Sequence, residues 1–292
     1  MQSSQTSWRH DPAESERASQ LLRATKPTEH AYVAYRKCVD PFVKAHRHER
    51  PTFPFGDETT EVILGFRNSR IFNREFLVAW VDDNALSRFK PSTEAIMMPV
   101  EPVLEGLAPF PVVIAPISHR RSQSHKFISV LDHEMVHVCQ ALRGTWPSGW
   151  PEERDALLDE FILYTQIEYE ANLLQLARWP NAHTPNAELT IEQWSLLRGY
   201  TQALEDVLRS AARGDLDGDL ITLVVDVGVH GPRRLERIGC SGDAIEWFAN
   251  RWLRDVRTAI HILTMQGVDL DAATALHPLI RWLLGRSVPD TR

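Results

Sequence analysis

Residues 125–144 read HKFISVLDHEMVHVCQALRG, and this stretch is the best guide to the fold. Its apolar residues recur every three or four positions, which is the period of a helix with one buried face. The residues on that apolar face are Ile128, Leu131, Met135, Val138, Cys139 and Leu142. Gly144 follows them, at a position where helices commonly end on a left-handed glycine. The sequence therefore predicts a helix from about His125 to Arg143.

The opposite face of this predicted helix carries two histidines. His133 and His137 are four positions apart, so they lie about 40° apart around the helix and can converge on one tetrahedral ion. Glu134 lies about 60° further round, beside that ion but not among its ligands. The HExxH spacing is typical of zinc hydrolases, whose glutamate takes a proton from water and passes it to the leaving group. We therefore expect Zn²⁺ at the histidines and Glu134 as the general base and then acid.

A catalytic zinc site normally has a third protein ligand. The metzincin extension of the motif is excluded, because Gln140 and Arg143 stand where it requires glycine and histidine. A long helix predicted for residues 153–178 offers a carboxylate ligand instead. Its candidates are Glu160, Glu168 and Glu170.

Residues 168–172 read EYEAN and resemble the ExxA[DN] or ExxSD motif that gluzincin peptidases carry downstream of HExxH. The cytosolic ImmA/IrrE-like peptidases have a similar string, and the resemblance covers about 40 residues, from His133 to Asn172. It implies that Glu168 binds the zinc ion. It also implies that Asn172, one turn later, accepts the free N–H of His133 and fixes the tautomer of that imidazole.

Helix geometry agrees with Glu168 as the ligand, because it shares a face with that asparagine while Glu170 points the other way. Glu170 and Glu160 remain alternatives. A hydrolase also needs a donor for the oxyanion of its tetrahedral intermediate. Tyr164, one turn before Glu168, is one candidate, and His230 in the turn-like stretch DVGVHGP is the other.

The flanking sequence predicts an α+β fold. A helix is predicted at residues 28–48 and a break at 50–56, and three short runs are rich in β-branched and aromatic residues, as strands are. These runs are residues 61–66, 75–81 and 111–117. After residue 151 the pattern is helical, with further helices expected from 190, at about 241–265 and at 271–284. Whether 111–117 is an edge or an interior strand is left open.

Three regions follow from this layout. Residues 1–27 are expected to be a mobile segment. Residues 28–150 should form a zincin-like half with a small mixed sheet and the active-site helix. Residues 151–292 should form a mainly α-helical half that supplies the third zinc ligand.

Composition limits the class of protein. The 292 residues are 43% hydrophobic and 24% charged, as in soluble globular proteins. The net charge of −7 argues against nucleic acid or an anionic membrane as a partner. No apolar run approaches the roughly 18–20 residues that span a bilayer, and the polar N-terminus does not resemble a signal peptide. We therefore expect a cytoplasmic protein, whose three distant cysteines are reduced.

These observations predict a zinc-dependent hydrolase, and we expect a metallopeptidase acting on a peptide or protein. A metallohydrolase that tailors a small biosynthetic molecule is an alternative, and a toxin or effector protease with one target is another. A zincin scaffold that senses or binds a partner without turnover is a fourth possibility, which the intact Glu134 disfavours. The sequence leaves the side-chain preference and the oligomeric state open.

Overall fold

The structure is a computed structural model that describes residues 12–55, 58–89, 94–100, 107–146 and 154–180, with four helical positions at 195, 198, 199 and 202. The chain divides into two compact units, Met1–Trp146 with Glu170–Pro185, and Pro147–Tyr169 with Asn186–Arg292. The helices predicted beyond residue 190 lie outside the described residues, apart from those four positions.

Along the described chain, two helices come first, followed by four strands, one helix, two strands and two further helices. The helices are α1 (Pro12–Thr25), α2 (Glu29–Ala45), α3 (Asp83–Phe89), α4 (His125–Leu142) and α5 (Arg154–Arg178), with a 3₁₀ turn at Ile117–His119. The strands are β1 (Thr52–Phe55), β2 (Glu58–Glu61), β3 (Ile63–Ser69), β4 (Arg74–Val81), β5 (Ile96–Val100) and β6 (Phe110–Pro116). The described part is therefore a mixture of helices and small sheets, which confirms the predicted α+β class.

The main sheet has the strand order β3-β4-β6-β5. Strands β4 and β6 run parallel at its centre, and the two edge strands are antiparallel to their neighbours. The central strands read REFLVAWV and FPVVIAP, and almost every residue in them is buried. Strands covered on both faces are expected to be continuously apolar in this way. The run predicted at 111–117 is therefore an interior strand, and β5 is the edge strand beside it among the described strands.

The register of β5 against β6 places Pro99 opposite Pro111. Neither proline has an N–H, so this pair occupies a position where the two strands exchange no hydrogen bond. Because the pattern alternates, the N–H of Met97, two residues earlier, also points away from β6. Along β5, the backbone groups of Met97 and Pro99 therefore face away from β6.

Helix α4 begins and ends within one residue of the predicted bounds. Gly144 has a φ of 71°, the left-handed conformation expected of a glycine just after a helix. The apolar face of α4 packs against the hydrophobic core through Leu131, Met135 and Val138, all of which are buried. This contact with the sheet determines which residues α4 presents on its other side.

Two segments differ from the sequence-based expectation. The predicted break at 50–56 contains β1, which pairs with β2, and Phe53 in it is fully buried with its ring 5.9 Å from that of Phe42. Burial of an aromatic side chain outweighs the local preference of the prolines, which a two-stranded ribbon tolerates. The segment expected to be mobile at 1–27 contains α1, whose residues Leu21 and Leu22 pack against the core.

Strand β5 and helix α3 were not predicted from the sequence.

No helix within the described residues is both long and apolar enough to cross a membrane. Cys38 and Cys139 are free cysteines, and Cys240 lies outside the described residues.

Candidate metal centre

The side chains of His133, His137 and Glu168 come together in a buried cluster. Each offers one ligand atom, and these three atoms lie within 4.8 Å of one another. The Nε2 atoms of the two histidines are 3.1 Å apart, and the planes of their rings are nearly perpendicular. Two imidazole nitrogens and one carboxylate oxygen are the donor set of a common type of catalytic zinc site. The residues present therefore fit a zinc ion.

Gln140 orients His137 from the next turn of α4. Its Oε1 lies 2.8 Å from Nδ1 of His137, and its Nε2 donates to Oε2 of Glu170 at 3.1 Å. The bond to Glu170 identifies which end of the amide is the donor, so Oε1 accepts the Nδ1–H of His137. The imidazole then carries its proton on Nδ1, and Nε2 has a lone pair directed toward the cluster.

Glu170, an alternative third ligand on sequence grounds, has a different role in the structure. Among the described residues it is absent from the metal-type cluster and instead supports Gln140, the residue that holds His137. Gln140 itself was used only to exclude a metzincin motif. Its position, one turn after His137 on the buried face, was the observation that could have identified it.

Glu134 directly follows His133 in α4 and is half-buried. Its Oε2 accepts a hydrogen bond from the backbone N–H of Met97 at 2.7 Å. This is the N–H that points away from β6, so the outer edge of β5 contacts the carboxylate predicted to act as the base. The contact joins the edge strand of the sheet directly to the HExxH motif.

The remaining predicted site residues lie on α5 or outside the described residues. Asn172 is completely buried and Tyr164 is half-buried, both on α5. Their predicted roles, as the support of His133 and as an oxyanion donor, stay predictions. The side chain of Glu160 and all of His230 lie outside the described residues.

Two polar bonds attach the C-terminal part of α5 to α4. The Nε2 of Gln175 donates to the carbonyl oxygen of Ser129 at 2.9 Å, and the indole Nε1–H of Trp179 donates to Oδ2 of Asp132 at 2.7 Å. Burial raises the pKa of the Asp132 carboxyl, an effect opposed by its hydrogen bonds with Trp179, Ser69 and Arg70. None of these residues was predicted from the sequence to belong to the site.

Comparison of the chain with protein-family models, with curated proteins and with solved structures finds no match.

Proposed function

We propose that this protein is a zinc-dependent hydrolase of the metallopeptidase type. The observation that carries the proposal is the buried cluster of His133, His137 and Glu168 with Glu134 beside it. Two imidazole nitrogens and one carboxylate oxygen within 4.8 Å of one another supply the three protein ligands that a catalytic zinc site requires.

Each residue of the site has a separate role in the proposed reaction. His133, His137 and Glu168 would hold the ion, and Gln140 would keep His137 in the tautomer that leaves Nε2 available. When bound, zinc would supply Lewis acidity that polarises the scissile carbonyl and acidifies water. Glu134 would accept a proton from the attacking water and deliver it to the leaving amine. The N–H of Met97 would hold one oxygen of Glu134 in place.

The proposal includes a zincin-like fold of the gluzincin kind. It is supported by the HExxH motif on α4, by a glutamate from the next described helix as third ligand, and by a mixed sheet whose edge strand lies beside the motif. The resemblance of EYEAN to the gluzincin motif agrees with this assignment.

An extended peptide is the substrate that this arrangement favours. Peptides bind to exposed sheet edges by adding a strand, and the edge strand β5 lies one hydrogen bond away from the proposed base. A small-molecule substrate, a single protein target and a scaffold without turnover remain alternatives.

The experiment is a metal analysis followed by an activity screen. Protein purified without chelators should contain about one zinc ion per chain, because the cluster supplies one complete set of three ligands. It should cleave members of a quenched fluorescent peptide library, and this activity should disappear with chelator and return with zinc. If no transition metal is present and none binds on addition, the proposed function is wrong. Zinc binding without peptide cleavage would favour the alternatives.

A further inference from the structure

Asp132 directly precedes the first histidine of the motif, yet it faces a different set of partners. Its side chain is buried, at 1% exposure. Oδ1 accepts the backbone N–H of Arg70 at 3.0 Å, in the turn between β3 and β4. Oδ2 accepts the indole N–H of Trp179 at 2.7 Å, just after the end of α5. One carboxylate thereby ties α4 both to the main sheet and to α5.

Trp179 is held firmly at the other end of this bond. Its backbone N–H donates to the carbonyl of Gln175 at 2.7 Å, so it continues the hydrogen-bonding pattern of α5. The guanidinium of Arg70 lies 5.0 Å from the centroid of the Trp179 ring. A displacement of Trp179 would therefore displace the end of α5 with it.

Helix geometry connects this bond to the metal site. Trp179 is eleven residues after Glu168, which is about three turns of a helix, so the two side chains leave α5 on the same face. Gln175 leaves the same face and donates to the Ser129 carbonyl on α4. The ligand and its two anchors therefore form one stripe along α5.

The position of Glu168 depends on the register of α5 against α4, that is, on which residues of the two helices face each other. A slip of α5 by one residue would move each side chain by about 1.5 Å along the axis and rotate it by about 100°. Metal ligands are correctly placed only within about 0.2 Å, and apolar contacts alone specify a helix register less strictly than directional hydrogen bonds. The two anchors supply that directional constraint.

We propose that Asp132 and Trp179 are positioning residues that set the register of α5 against α4 and so bring Glu168 to the histidines. This inference rests on the proposed metal site. It adds that the affinity for zinc depends on the hydrogen bond between Trp179 and Asp132, although neither residue is one of the three proposed ligands. The residues are thus supports of the third ligand and take no direct part in the reaction.

The test is a double-mutant cycle on the full chain, with zinc affinity measured by competition against a chromogenic chelator. Trp179→Phe keeps the ring but removes the donor, and it should weaken zinc binding by about 10- to 100-fold, as loss of an outer support commonly does. In the Glu168→Ala background, measured with a weaker competitor, the same change should alter affinity by no more than about twofold, because Trp179 then has no third ligand to position.

Tyr35→Phe is the matched control. It removes a buried bond of the same kind, in which the Tyr35 hydroxyl accepts the N–H of Leu77 at 2.9 Å, but on α2 and β4. It should lower the midpoint of thermal unfolding while leaving zinc affinity within about twofold of the wild type. Gln175→Met removes the second anchor and provides an independent test if Trp179→Phe does not fold.

Two results would overturn the inference while the proposed function survives. One is a wild-type protein that binds zinc and anchor variants whose affinity is unchanged. The other is an equal loss from Trp179→Phe with and without Glu168, since that would mean a general effect on the fold. A wild-type chain that binds no zinc would overturn the proposed function and this inference together.

Discussion

Helix α4 buries two faces of opposite chemistry. One face places Leu131, Met135 and Val138 in the hydrophobic core, where each large side chain contributes about 1.5–3 kcal/mol to stability. The other face buries His133, His137 and their partners, which have no such gain and cost free energy unless they are hydrogen-bonded or bind a metal. The first face accounts for the fold, whereas the second carries the proposed metal ligands. Substitutions on the two faces should therefore change different properties.

The largest expected effect belongs to Glu134→Gln. The amide keeps the shape of the side chain but cannot accept a proton from water at neutral pH, so kcat should fall about a thousandfold or more. Zinc content should stay at the wild-type level. Glu29→Gln, which changes an exposed carboxylate that pairs with Arg74, is the control and should retain full activity. A Glu134→Gln enzyme with near-normal turnover of the library peptides would remove this residue from the mechanism.

The next largest effect separates two glutamates on α5. Glu168→Ala deletes a proposed ligand, so its loss of zinc affinity should exceed the roughly 100-fold limit typical of outer supports. Glu170→Ala removes only the partner of Gln140 and should cost about tenfold or less. Chelator competition on both variants makes the comparison. A greater loss for Glu170→Ala would reassign the third ligand without removing the metal site.

Ile114→Ala tests the apolar side of the comparison. Ile114 is fully buried in the central strand β6, and deleting its side chain leaves a cavity. The free energy of unfolding, from urea titration of the metal-free protein, should fall by about 2–5 kcal/mol. The zinc affinity of the folded protein should be unchanged. A large loss of zinc binding would show that the two faces of α4 are coupled rather than separable.

The smallest expected effect is that of Gln140→Met, which removes the acceptor for the Nδ1–H of His137. Zinc affinity should fall by about tenfold, at the low end for an outer support, because His137 itself remains. Gln20→Met breaks an exposed bond of the same type, from Nε2 of Gln20 to Glu16 at 3.0 Å, and is the matched control. Equal zinc affinity in the two variants would mean that Gln140 does not orient the histidine.

Local pattern predicted the features of this protein that depend on nearby residues. The helical period gave the bounds of α4, the left-handed Gly144 follows from helix termination, and the apolar runs of β4 and β6 identified the central strands. The juxtaposition of Glu168 with the histidines came from the resemblance to gluzincins combined with helix geometry.

The remaining features depend on residues that are far apart in the chain. The bond from Gln140 to Glu170 spans 30 positions and that from Trp179 to Asp132 spans 47. Helical and strand periodicity relates only nearby residues, so it could not predict either bond. Strand β5 was not predicted because its sequence, IMMPV, is short and contains a proline. That proline is accommodated because the tertiary register places it where no hydrogen bond to β6 is required.

The outer edge of β5 also bears on aggregation. A bare strand edge can recruit the same strand from another copy of the chain and so start edge-to-edge growth. Here Pro99 has no N–H to offer an incoming strand, and the N–H of Met97 is already bound by Glu134. The contact that orients the proposed base therefore leaves this edge only its outward carbonyl groups, which could hold a short peptide but could not form a full ladder with a second copy. Substitutions that replace Pro99 or shorten Glu134 should be monitored for self-association at high concentration as well as for turnover.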